Sequence, residues 1–130
     1  MGASPPGPQL PLTSLVPFAP PAASRRDVWW EDCRNSLGIA RLLVQERRPE
    51  ALLATACRMA VDSACRAALD QRGIAYDGDL EGGLTRLGAP LGLAAGAGAR
   101  GAERLAEAER AVGWVAGRLR SEAPERSWSF

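Results

Sequence analysis

Asp27-Val28-Trp29-Trp30-Glu31-Asp32-Cys33 opens the stretch of this chain that decides its fold, and Ala60-Val61-Asp62-Ser63-Ala64-Cys65-Arg66-Ala67-Ala68-Leu69-Asp70-Gln71-Arg72-Gly73 closes it. From Trp30 onward, Cys33, Leu37, Ala40 and Val44 recur at steps of three and four residues, the spacing that places side chains on one face of an α-helix. Arg47-Arg48-Pro49-Glu50 interrupts that pattern. Proline suits a first helical position, where its missing N–H costs little, and an acid suits the positive end of the helix dipole. A second helix is therefore expected to run to about Arg72. Its apolar residues, among them Leu52, Leu53, Ala56, Met59, Ala60, Val61, Ala64, Ala67, Ala68 and Leu69, cover most of its circumference, so it should be the central one. Gly73 stands where a C-terminal cap belongs. Two such helices joined by a short turn make an antiparallel hairpin.

Upstream, Ser24 followed three residues later by Asp27 resembles a capping box, which starts the first helix near Arg25. Seven of the ten prolines lie within the first 21 positions, so residues 1–23 read as an extended or disordered tail. Its patch Leu15-Val16-Pro17-Phe18 is the part suited to docking on a partner or on the domain itself. Downstream, Asp77-Gly78-Asp79 precedes a short helix from Leu80 to Leu87 that Gly82 and Gly83 weaken, and a glycine-rich connection follows through residue 101. A last helix carries Leu105, Ala108, Val112, Val115 and Leu119 on one face. Residues 121–130 read as a polar tail.

No alternating strand pattern occurs. The expected fold is all-α, an up-and-down four-helix bundle over residues 24–120. A core of that size is small, and pairing with a second copy would bury more apolar surface. A homodimer is therefore expected, with Trp29, one position beside the core stripe, and Trp114 as the interface candidates.

Composition removes most chemistries. All sixteen basic residues are arginine, balanced by fifteen acids to a formal charge of +1, so net charge does not point to RNA or DNA. Lysine-free, alanine-rich composition is what a GC-rich bacterial genome encodes. Without histidine the chain offers no Ser-His-Asp or Cys-His pair and no histidine-held metal. Without lysine it offers no phosphate-binding Walker loop and no Schiff base. Cys33, Cys57 and Cys65 lack metal or disulfide spacing and read as small core residues. No cofactor, no metal and no catalytic residue is expected. No apolar run is long enough for a membrane span and no signal-peptide pattern opens the chain, so a cytoplasmic location is the expectation.

Two motif matches are incomplete. Gly96-Ala97-Gly98-Ala99-Arg100-Gly101 fits the dinucleotide fingerprint and opens a helix, but no strand delivers it. It reads as a linker. What it leaves is an anion site at the start of the last helix, built from Gly98, Arg100, Gly101 and Arg104, which would take a nucleotide or RNA phosphate. Asp77-x-Asp79-x-Glu81-Gly82 begins like a calcium loop, yet Gly88 stands where the bidentate glutamate belongs. Helix capping explains those acids.

The order Trp30-Glu31-Asp32, then Ala40-Arg41-Leu42-Leu43, then Ala60 through Leu69 with Gly73, then Asp79-Leu80 with Leu84 and Leu87, resembles the HEPN family of small α-helical bundles. The resemblance covers residues 27–120 and implies a bundle that dimerises. Many members of that family are metal-independent RNases with an Arg-x4-6-His motif at the dimer interface, often toxins; others lack the motif and accompany a minimal nucleotidyltransferase or bind without cutting. Arg100, Arg104 and Arg110 have no histidine to pair with, so no family catalytic residue carries over. The resemblance implies a noncatalytic, dimeric accessory domain, with a nucleotidyltransferase as partner in a toxin–antitoxin type system. A nucleotide- or RNA-binding module and a structural protein-interaction adaptor are the alternatives.

Overall fold

The structure, a computed structural model, describes residues 22–93 and 98–130. The proline-rich segment through residue 21, with its apolar patch at residues 15–18, lies outside the described residues. Four helices occur in the order α1 (Ala22–Gln45), α2 (Glu50–Gln71), α3 (Leu80–Arg86) and α4 (Gly101–Glu122), with no strand among the described residues. Helix α1 begins three positions before the expected Arg25, because Ala22 and Ala23 are strong helix formers and extend it backwards. Its stripe is core: Trp30, Cys33, Leu37 and Ala40 are buried and Val44 is packed against them.

The turn from α1 to α2 takes in Pro49, one residue more than the sequence suggests. Pro49 stands as the N-cap of α2, and its carbonyl accepts the N–H groups of Leu52 and Leu53. At the other end Gly73 adopts φ +71°, a conformation that costs glycine little, which lets Gly73 N–H bond the Asp70 carbonyl and Ile74 N–H bond the Leu69 carbonyl. Helix α2 touches all three other helices and supplies ten buried residues, so it is central as expected. Two of its apolar residues depart from that expectation: Leu52 and Met59 are 52% and 55% exposed. No described residue covers that side of the hairpin.

Glu50 at the start of α2 reaches Arg104 in the first turn of α4, and Arg72 just past the end of α2 reaches Glu122 at the end of α4. The two helices therefore run parallel, and α1 lies antiparallel to them. The third leg of the bundle is only α3 and its connection. Asp79 caps α3 by accepting the Gly82 N–H at 3.1 Å, while Leu80, Leu84 and Leu87 are buried. Gly83, which weakens a helix in isolation, is what lets this one sit on α2: a Cβ there would lie 2.7 Å from Cys65 Sγ and 3.0 Å from Tyr76 Cε1. No described helix is long and apolar enough to cross a membrane.

The expected boundary at residue 120 and the polar tail beyond it require correction. Helix α4 continues to Glu122, and the residues after it fold back over α1. Trp128 is 2% exposed, stands edge-on to Trp30 at 5.6 Å and donates its Nε1–H to the Ala123 carbonyl at 3.0 Å. Trp30 in turn donates to the Ser129 carbonyl at 2.9 Å, and Phe130 packs edge-on to Trp30. Aromatic area outweighs the polar residues between, so this segment belongs to the core.

Candidate functional site

The start of α4 gathers the residues of the expected anion site, and an internal carboxylate already occupies part of it. Gly101 adopts φ +55°, which turns its N–H toward Glu50, and the carboxylate accepts it at 3.1 Å and 3.2 Å through its two oxygens. Arg104 Nε–H donates to Glu50 Oε2 at 2.8 Å. These bonds, led by the one from Arg104, hold the Glu50 carboxyl below the usual carboxylate range. Arg100 is exposed as the N-cap residue, and Gly98 is exposed with φ +87°. The structure thus joins Gly101 and Arg104 on one acid by hydrogen bonds; Arg100 and Gly98 make none to it, though the charge of Arg100 also helps lower the Glu50 pKa. A phosphate arriving at the Gly101 amide has to displace a glutamate. Nothing in the sequence pattern marks Glu50 for this role, because its partners lie 51 and 54 positions away.

Beside this junction a cavity of about 210 Å³ opens between α2 and α4. Arg104 borders it, and Cys57 forms part of its wall. Burial raises the Cys57 pKa above the ordinary thiol value, so the group is a neutral, apolar wall element at neutral pH. Cys33 and Cys65, more deeply buried, are pushed up to about 12 by the same cause. Among the described residues no three His, Cys, Asp or Glu side chains converge as a metal group.

The two tryptophans expected at an interface each carry an arginine of their own chain and stay partly exposed. The Arg66 guanidinium lies between Trp29, 4.5 Å from its ring centre, and Tyr76, at 4.9 Å. Tyr76 donates its hydroxyl to Asp62, and burial together with that neighbouring carboxylate raises its pKa. Trp114, half-buried on α4, carries the Arg118 guanidinium 5.0 Å above its ring. Such stacking engages one face of each ring. More exposed apolar side chains stand elsewhere: Val28, Ile39 and Leu42 on α1 and Leu52 and Met59 on α2, each more than half exposed, and Leu91 after α3, almost fully exposed. Ile39 and Leu42 lie off the core stripe, and that offset is the signal through which the sequence could have flagged them.

The chain matches no family model, no curated protein and no solved structure. Its own geometry and chemistry are therefore what bear on its function.

Proposed function

We propose that this chain is a noncatalytic, HEPN-like partner domain that pairs with a copy of itself and serves as an accessory subunit, of the kind that accompanies a minimal nucleotidyltransferase in toxin–antitoxin type systems. The observation that supports pairing is the set of half-exposed apolar residues Ile39, Leu42, Leu52 and Met59 on the two helices of one hairpin. Large apolar side chains left this exposed gain nothing in a monomer, and where such residues adjoin they mark contact surfaces. The noncatalytic part is supported by what the chain lacks. With no histidine the chain cannot form the Arg–His pair of the family's RNases, and of the two arginines at the expected anion site Arg104 is already engaged by Glu50.

The reading is tested by light scattering of the purified chain. The wild type should elute at twice the monomer mass, and Leu52→Glu or Met59→Glu should return it to the monomer with its helical circular dichroism retained, because a buried charge at an interface core is not tolerated. A wild-type chain that stays monomeric at all concentrations would refute pairing. Cleavage of RNA that is lost on arginine substitution would refute the noncatalytic assignment.

A further inference from the structure

The cavity between α2 and α4 shares no residue with the apolar face on the hairpin, and its lining has a chemistry of its own. Val61, Leu80, Leu93 and Ala108 make its walls apolar, while Arg58 comes from α2 and Glu107 from α4. Among the described residues neither Arg58 nor Glu107 has an oppositely charged partner within 4.0 Å, whereas Arg104 beside them is closed by Glu50. Arg58 is exposed and Glu107 partly exposed, whereas Val61, Leu80 and Ala108 are buried.

Three charged side chains line the cavity, Arg58, Arg104 and Glu107; with Arg104 already paired to Glu50, the charges left for a ligand are one of each sign, Arg58 and Glu107. A ligand carrying one net charge, of either sign, finds one group that attracts it and one of its own sign. A ligand with both charges on neighbouring atoms pairs with each. The volume of about 210 Å³ is below the ~300–1,000 Å³ of pockets for drug-sized molecules, which suits about ten non-hydrogen atoms. From these features we infer that the cavity binds a free α-amino acid with an apolar side chain of about leucine size: Arg58 takes the carboxylate, Glu107 takes the ammonium, and Val61, Leu80, Leu93 and Ala108 take the side chain. Arg58 offers a fork of N–H donors that fits a carboxylate. Glu107 offers an acceptor to an ammonium, and an analogue that lacks one charge forgoes one of these two charge-assisted pairs.

The test is calorimetric titration of the full chain with L-leucine, with 4-methylpentanoate and 3-methylbutylamine as analogues that each lack one of the two charges. Leucine should bind saturably with Kd near or below about 1 mM, as a good small ligand does. Each analogue should bind at least about 10-fold more weakly, and Arg58→Gln and Glu107→Gln should each weaken leucine by a similar factor. Both residues are surface-accessible, so thermal melts of these variants should match the wild type and rule out misfolding as the cause. No saturable leucine binding up to about 10 mM overturns the assignment. So does an analogue that binds as well as leucine, or a variant that binds it unchanged. None of these outcomes depends on whether the chain dimerises, so the cavity and the pairing are judged separately.

Discussion

Replacing Trp128 with alanine tests whether the C-terminal segment is part of the folded unit. The side chain is 2% exposed and meets Trp30 edge-on at 5.6 Å. A buried tryptophan removes ~150–250 Å² from water, and at ~25 cal/mol per Å² this is about 4–6 kcal/mol as an upper bound. The unfolded chain already buries ~10–40% of such area, and the ring-on-ring contact adds back ~0.5–1.5 kcal/mol. Ordering the segment offsets some of the gain, so about 3–4 kcal/mol should be lost, within the ~3–5 kcal/mol usual for truncating a buried tryptophan. With an unfolding entropy of ~2.1 cal/mol/K per residue over about 100 folded residues, Tm should fall by about 15 °C. Far-UV circular dichroism melts measure this, and near-UV dichroism should report the loosened Trp30. Trp114→Ala is the matched control, because that ring is half-buried and packs on Arg118; its cost should stay below about 1.5 kcal/mol. A Trp128→Ala protein melting within about 2 °C of wild type would refute the packing assigned to this segment.

Glu50→Gln should lower Tm at neutral pH and progressively less in acid. The folded-state pKa of Glu50 is depressed by Arg104 and Gly101, so its stabilisation is fully present above the ordinary carboxylate range and disappears as pH falls through the lowered folded value; melts of both proteins across that range should converge at the acid end. Gly83→Ala should destabilise by about 1–3 kcal/mol, read by urea unfolding, because the added Cβ collides with Cys65 Sγ and α3 must lift from α2; a stabilised variant would show that helix propensity outweighs the contact. Cys33 and Cys65 should resist alkylation at about pH 8 in the native chain and react together with Cys57 once it is unfolded in urea, since burial both hides the thiols and keeps them protonated. Rapid labelling of Cys33 or Cys65 in the folded protein would contradict the core described for them.

The hairpin was legible because its information is local. Trp30, Cys33, Leu37 and Ala40 declare their face by spacing alone, and Gly73 declares the end of α2 by the backbone angle that end requires. Legibility fails where a residue's role is set by something distant in sequence. Leu52 and Met59 look like core by type, yet which flank of α2 is covered depends on where α4 lies, and that is fixed by contacts about fifty positions apart. Trp128 was lost among Ser127, Ser129 and Arg126, since a short polar-looking segment has no periodicity to betray a single buried ring. The Glu50 junction was half legible: its donors, Gly101 and Arg104, could be read from the start of a helix, but the acid that meets them could not.

The parallel pairing of α2 with α4, pinned at both ends by Glu50–Arg104 and Arg72–Glu122, also sets the order in which the chain assembles. The α1–α2 hairpin closes across only a few turn residues. Bringing Glu50 to Arg104 closes a loop of 54 positions. By the logarithmic dependence of loop closure on length, the second event costs about 2 kcal/mol more entropy than the first. The hairpin is therefore the early unit, and α4 with the segment carrying Trp128 docks onto it late and leaves first. Amide hydrogen exchange should divide along that line, with the α2 amides protected longest and those of α4 released through a partial opening that keeps the hairpin intact.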